Sequence, residues 1–298
     1  MVAAVIILYH PELSLLGRLL ESVLGQVTAV VVVDNTPTPS SEFIAFLGQY
    51  RTRVVYLPLN DNMGIATAQN VGIRKSLSES YSHVLLLDQD SFPPPGMVSE
   101  LLSAERKLLE SGKEVASVGP VFIDEKTGES SRAIRHAWMH VTKIPVDLAV
   151  SEPVEADYLI ASGSLIRAST FANIGLMRDE LFIDWVDIEW GLRARRAGSK
   201  CYLVPSTVMK HSIGDTSVHV VGKDINLHND TRNYYIVRNA TYLLRLKSMG
   251  WRWRSITVLK IPLYVSFYSW HSHNMLSSFL SLCKAVSDGL RGKVGRLA

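Results

Sequence analysis

Unbroken apolar runs alternate with helix-period segments through the first half of the chain. Val2 to Tyr9, Ala29 to Val33, Arg53 to Leu57, Val84 to Leu87 and Val115 to Ile123 read as strands. Their runs are continuous rather than alternating, as expected where both faces of a parallel sheet are covered. Between them, Pro11 to Leu24 carries Leu13, Leu16, Leu20 and Leu24 at helical spacing, and Gly64 to Leu77 predicts a further helix. Repeated strand–helix units of this kind predict an α/β fold with a mostly parallel central sheet. Right-handed crossovers hold the strand ends on one edge, so Asp34 and Asp88 are expected on a common rim. From Asp124 to Glu155 no period persists, and a variable excursion is expected. Tyr158 to Ile166 reads as a buried strand with Ser162-Gly163-Ser164 inside it; glycine there marks close approach of either a ligand or backbone. A short strand, Thr207 to Met209, precedes His211.

The 298 residues suffice for one large domain and an appendage, and 47% hydrophobic content supplies a core. Net charge is +3 but uneven: residues 250–298 hold seven Lys/Arg against the single acid Asp288. A basic excess confined to one end argues against nucleic acid as a partner. Cys201 and Cys283 are too few and too far apart for a disulfide framework or a zinc site, which suggests a reducing cytoplasm. The apolar run at Met1 to Tyr9 lacks a basic flank and stops at Pro11, short of a spanning helix.

Chemistry concentrates at three places. Asp88-Gln89-Asp90 closes the Val84 to Leu87 strand, and Ser91-Phe92-Pro93-Pro94-Pro95 cuts the chain off behind it. Ligands of open α/β sheets sit beyond the carboxyl ends of strands. Carboxylates on alternate residues there suit Mg2+ or Mn2+, which completes its shell with waters and substrate phosphates; an acidic turn is the bland alternative. Asp184-Trp185-Val186-Asp187 stands at a predicted helix start, where free N–H groups favour negative charge and a carboxylate can be aimed with an indole beside it. Asn60 to Ala66 is a polar turn entering a helix of small residues, which lets a base, sugar or diphosphate approach backbone. It matches neither common phosphate-loop pattern. His211 is a candidate extra ligand beside a carboxylate-bound divalent ion.

In order, Val31-Val32-Val33-Asp34-Asn35, Asn62-Met63-Gly64-Ile65-Ala66 with Asn70 and Gly72, Leu87-Asp88-Gln89-Asp90-Ser91, Phe182-Ile183-Asp184-Trp185-Val186-Asp187-Ile188-Glu189 and His211 resemble a family 2 glycosyltransferase. The resemblance implies the GT-A nucleotide-diphospho-sugar-binding fold over residues 1–245. The Asp-Gln-Asp-Ser and Phe-Ile-Asp-x-Val-Asp segments are similar to the bacterial rhamnosyltransferase branch. By that resemblance Asp34 contacts the nucleobase, Asn62 and Gly64 line the nucleotide pocket, and Asp88 lies by ribose and diphosphate. Asp90 and His211 hold the metal, Trp185 stacks on the acceptor sugar beside Asp184, and Asp187 is the base. Both Asp184 and Asp187 are acidic, and spacing to Glu189 and Gly191-Leu192-Arg193 favours Asp187. Arg238, in Tyr234 to Asn239, is assigned to the diphosphate. The implied reaction is inverting transfer of L-rhamnose from dTDP-β-L-rhamnose to a hydroxyl of a glycan or lipid-linked saccharide. A UDP-sugar donor, or a non-catalytic sugar-nucleotide-binding subunit, is the alternative.

Residues 246–298 form the second expected unit. Leu276, Phe279, Leu280, Cys283 and Leu290 share a helical face, with Lys284, Arg291, Lys293 and Arg296 around or after it. An apolar stripe flanked by Lys, Arg and Trp251-Arg252-Trp253-Arg254 suits an anionic bilayer surface. The expectation is a peripheral protein on the inner face of the cell membrane. Packing of the stripe on the catalytic domain or on a second subunit of a homo-oligomer is the alternative.

Overall fold

The computed structural model describes residues 1–124, 128, 130–136, 141–211, 217–220, 223–226 and 228–297, with backbone alone for 124, 211, 217–220 and 223–226. The five strands expected first are β1 (Val2–Leu8), β2 (Ala29–Asp34), β3 (Val54–Pro58), β4 (His83–Asp88) and β5 (Val115–Asp124). Between them run α1 (Leu13–Leu24), α2 (Ser41–Gly48), α3 (Ile65–Ser78) and α4 (Met97–Glu110). The chain continues through β6 (Ala133–His136), β7 (Val141–Ile144), β8 (Val154–Ala156), β9 (Leu165–Arg167), α5 (Ala168–Ile174) and α6 (Val186–Arg196). Then come β10 (Lys200–His211), β11 (Ser217–Val220), β12 (Lys223–Asn226), α7 (Asp230–Leu243), α8 (Gly250–Trp270) and α9 (Met275–Arg291).

The central sheet runs β3-β2-β1-β4-β9-β5-β10-β8. Its pairings are parallel except that β9 runs antiparallel to β4 and β5, and β8 antiparallel to β10. The two faces of β1 explain its unbroken apolar run. Ala4, Ile6 and Leu8 pack with Leu16 and Leu20 of α1 and Leu101 of α4, while Val5 and Ile7 pack with Ile73 of α3 and Trp190 of α6. Gly72 brings α3 down onto the sheet, since a Cβ there would collide with Val5 and Val33.

Register fixes the rim: Leu8 stands opposite Asp34, Ile7 opposite Asp88, and the backbone of His211 opposite Asp124. A backbone bridge between Phe92 and Lys210 draws the end of β10 against the turn after β4.

The strand expected over Tyr158 to Ile166 is shorter, only β9, and antiparallel. Residues ahead of it turn instead: the Gly163 N–H donates to the Leu86 carbonyl at 2.8 Å, and the Leu86 N–H donates to the Ser164 carbonyl at 2.9 Å. Gly163 has φ +76°, and a Cβ there would lie 2.8 Å from the Pro120 ring. The glycine therefore serves backbone approach. The apolar residues ahead of it are buried by α6 and the sheet rather than by a ladder, which is why their run looked like a strand. The excursion contains the β6–β7 hairpin and edge strand β8, and the short strand before His211 is the end of the longer β10.

The C-terminal helices share a core with the rest. Phe182 packs with Tyr234 to Val237 of α7, Val265 and Tyr268 of α8, and Leu282 and Ala285 of α9. Residues after the expected 245/246 boundary thus pack on residues before it. Among the described residues no helix is long and apolar enough to cross a membrane.

Candidate active site

At the rim, Asp34 is fully buried, and both its oxygens are engaged: Oδ1 accepts from the Thr36 N–H and Oδ2 from the Tyr56 hydroxyl, each at 2.9 Å. In the fold this carboxylate holds the turn after β2. Burial and the neighbouring Asp34 charge raise the Tyr56 phenol above its ordinary value, which keeps that bond's proton on tyrosine. Asn35 donates to Asn62 Oδ1 at 2.9 Å and accepts from the Met63 N–H at 2.8 Å, while Asn62 Oδ1 also accepts from the Gly64 N–H at 3.1 Å. Asn62 therefore ties its turn to the end of β2. Gly64, at φ +84°, is pressed against Phe182, whose ring a Cβ would meet at 2.5 Å. The turn is a shaped backbone surface held from below.

Facing it is the loop that leads into α6. Phe182, Asp184 and Trp185 all have positive φ, between 61° and 65°. Three such non-glycine residues within four positions persist only when their surroundings over-determine them. Here α7 does so. The side-chain amide of Asn239 donates to the carbonyls of Leu181 at 2.9 Å, Ile183 at 2.7 Å and Asp184 at 3.2 Å, and the Trp185 indole N–H donates to the Ile236 carbonyl at 3.0 Å. Arg238 is buried, 2% exposed, and donates to the carbonyls of Leu181 at 3.2 Å and Gly295 at 3.0 Å and to Asn239 Oδ1 at 2.7 Å. These donors brace the loop before α6 and the chain around Gly295. Sequence reasoning passed over Asn239 because a lone asparagine inside a helix carries no motif. The half-buried Trp185 keeps only part of its ring for a ligand.

The two acids at this loop differ in kind. Asp184 is ion-paired with Arg232 at 3.2 Å. Asp187, in the first turn of α6, accepts from the Ala161 N–H at 3.0 Å and has no cationic partner among the described residues. Leu86, Ser164, Ile166 and Trp190 line the small cavity behind it. Desolvation there, then the negative charge of Asp88, then that of Asp184, raise the Asp187 carboxyl from its ordinary 3.8 to about 7. A carboxylate so poised is a competent proton acceptor near neutral pH.

Asp88 ends β4 and Asp90 lies in the turn directly after it, both half-buried. Ser91 fixes the turn, its hydroxyl accepting from the Asp88 N–H at 3.1 Å and bonding Ser162. Asp90 makes no hydrogen bond or ion pair among the described residues. Two hard oxygen donors on a strand end, one of them uncompensated, fit Mg2+ or Mn2+ bound largely through substrate phosphates. Among the described residues no cluster of three or more His, Cys, Asp or Glu forms by itself. The His211 side chain lies outside the described residues; its backbone directly follows Lys210, which bridges to Phe92.

A mostly parallel sheet with acids at its carboxyl rim, a backbone-shaped turn and an aimed carboxylate is the arrangement in which open α/β enzymes bind their ligands. The glycosyl transferase family 2 model matches residues 4–175, and the chain belongs to that family. It is a glycosyltransferase. Over 300 aligned residues, 98% of this chain and 96% of the relative, it is 32% identical to the dTDP-rhamnosyl transferase RfbF of Shigella flexneri. Among solved structures it is similar to GalNAc-T7 with UDP, GalNAc and Mn2+, with TM-score 0.60 and 15% identity over 97% of this chain and 57% of that one. It is also similar to the mannosyltransferase PcManGT of Pyrobaculum calidifontis with GDP-Man and Mn2+, with TM-score 0.58 and 13% identity over 99% and 76%. These likenesses bear out the expected GT-A architecture with a helical C-terminal segment.

Proposed function

We propose that the chain transfers L-rhamnose from dTDP-β-L-rhamnose to a hydroxyl of a cell-surface glycan or glycolipid, with inversion and with Asp187 as general base. Full-length similarity to a dTDP-rhamnosyl transferase supports the donor. The observation that carries the base is the contrast at the α6 entry: Asp184 is ion-paired with Arg232, whereas Asp187 has no cationic partner among the described residues and its carboxyl is raised to about 7. An acceptor hydroxyl is a poor nucleophile, so a carboxylate within hydrogen-bond reach takes its proton as the new bond forms. The Ala161 N–H orients one Asp187 oxygen, leaving the other for the hydroxyl. Single displacement inverts the anomeric centre, giving an α linkage. Asp90, with Asp88 beside it, would hold a divalent cation, with His211 as the further proposed ligand. Such an ion stabilises the charge growing on the departing nucleoside diphosphate.

A panel of nucleotide sugars scored by melting shift tests the donor, because a ligand that binds only the folded state raises its stability. A selective shift with dTDP-rhamnose and Mg2+ or Mn2+ is expected, lost in Asp90→Ala; a response to UDP-sugars alone refutes the specificity, and an unchanged shift in Asp90→Ala refutes the metal site.

The C-terminal helices support a peripheral membrane location on the cytoplasmic face. Leu276 is 66%, Leu263 65% and Trp270 75% exposed, so apolar side chains of α8 and α9 face outward rather than onto the core. Lys284 and Lys293 flank this face, although both pair with Asp288, at 2.7 Å and 3.3 Å. Flotation with anionic liposomes, compared with neutral ones, tests the location; equal recovery in both, or none, removes the electrostatic part of the proposal.

A further inference from the structure

A second cavity, of about 260 Å³, opens at the far end of α6 from Asp187 and is lined by His136, Arg195, Arg196, Ser248 and Arg252 beside Trp251 and Trp253. No acid lines it among the described residues. Asp157 and Glu155 lie behind its wall, where they neutralise Arg195 at 3.1 Å and 2.9 Å; Asp157 also binds His136 Nδ1 at 2.6 Å and accepts from the Trp253 indole at 3.0 Å. Arg196 and Arg252 are exposed and have no acidic partner among the described residues; Arg252 lies against the Trp251 ring. The cavity also receives the N-terminus of the 21-residue α8, which has no side-chain cap. The positive end of a helix and its free N–H groups favour an anion. Independently, the Ser248 hydroxyl oxygen is shut away from solvent with no hydrogen-bond partner. A buried donor left unpaired is costly, and turning the half-buried Ser248 side chain toward the cavity would pair it with a bound oxyanion.

The cavity is tied to the catalytic carboxylate by a continuous wall. The segment from residue 155 to 161 runs back along α6: Ala161 binds Asp187, Tyr158 packs on Gly191, and Glu155 and Asp157 bind Arg195. From Asp187 to Arg196 is nine helical residues, roughly 13 Å at 1.5 Å per residue. On its other side the cavity borders α8, whose Leu259 and Leu263 are exposed. A cationic pocket at one end of the helix that carries Asp187, and at the start of a helix with exposed leucines, matches an amphiphile bearing a phosphate ester.

Resting on the transferase reading above, we propose that this cavity binds the phosphate or diphosphate of a lipid-linked acceptor, setting its saccharide against Asp187 and its chain along α8.

Farnesyl diphosphate, farnesol and inorganic pyrophosphate are titrated into the full-length protein in EDTA, which removes any cation-bridged diphosphate at Asp90. Tryptophan fluorescence reports binding through Trp251 and Trp253. Farnesyl diphosphate is expected to bind at least about tenfold more tightly than farnesol, and Arg196→Gln with Arg252→Gln to weaken it by about tenfold or more, the scale of losing charge-assisted hydrogen bonds. Both arginines are exposed, so an unchanged melting temperature and an unchanged shift with the nucleotide sugar are expected in the double variant. Equal affinity in wild type and double variant overturns the pocket. Pyrophosphate binding as tightly as farnesyl diphosphate overturns the lipid-linked ligand, as does equal response of the pocket to phosphatidylglycerol vesicles. Failure of the donor shift alone, with farnesyl diphosphate still bound, counts against the transferase reading and not against the pocket.

Discussion

Replacing Asp187 by Asn should make the protein more stable and less active, and the two effects share one cause. The carboxyl is raised from 3.8 to about 7 by desolvation and by the charges of Asp88 and Asp184. The folded state therefore holds this proton more tightly than the unfolded chain does. Between about pH 4 and pH 7 the native state binds the extra proton, so stability falls as pH rises through that window and the full cost is present above it. At about 1.36 kcal/mol per tenfold, the cost is roughly 4 kcal/mol at pH 8. An asparagine oxygen can still accept the Ala161 N–H while carrying no charge. A gain on the order of 2–4 kcal/mol should raise the melting temperature at pH 8 by several degrees, given about 2–4 °C per kcal/mol for larger domains. The difference should shrink to near zero at about pH 4, below the native value. Transfer should fall by about 10² or more with donor binding retained, the scale of general-base catalysis. Melting curves in EDTA at both pH values are the decisive measurement, because no divalent ion then damps the Asp88 charge. A variant no more stable than wild type at pH 8 refutes the electrostatic account of Asp187, whatever happens to its activity.

The same titration predicts that kcat/KM in the wild type rises with pH to a plateau above about 7; a flat profile from pH 5.5 to 8.5 removes Asp187 as the base. Asn239→Ala strips donors from three carbonyls of the positive-φ loop and should cost roughly 1–3 kcal/mol, lowering kcat more than donor affinity; unimpaired turnover would show that the loop holds its shape without α7. Gly64→Ala forces a Cβ to within 2.5 Å of Phe182 at φ +84°, and a melting temperature within about 1 °C of wild type, under a quarter of what an overpacking loss on the order of 1–3 kcal/mol predicts at its upper end, would mean the turn relaxes freely.

Legibility from sequence followed the range of the interactions involved. β1 to β5 were readable because burial on both faces writes an unbroken apolar run into the strand itself, and their common rim followed from crossover handedness. Asp88 to Ser91 was readable because strand and turn signals abut. What escaped was set by partners distant in sequence. Of the run from Tyr158 to Ile166 only Leu165 and Ile166 pair in the sheet, while Tyr158 packs on α6, so apolarity alone overstated the strand. Arg238 looks like a free cation until the carbonyls of Leu181 and Gly295, each 57 residues away, are brought to it. The Tyr56 hydroxyl that bonds Asp34 likewise comes from another strand, 22 residues away. Spacing alone favoured Asp187 over Asp184, and the cation that sets the two acids apart, Arg232, enters from α7, 48 residues downstream of Asp184. A charge pattern in sequence thus names the acids at a site, and only the folded partner set separates an acid spent on structure from one left with its proton to trade.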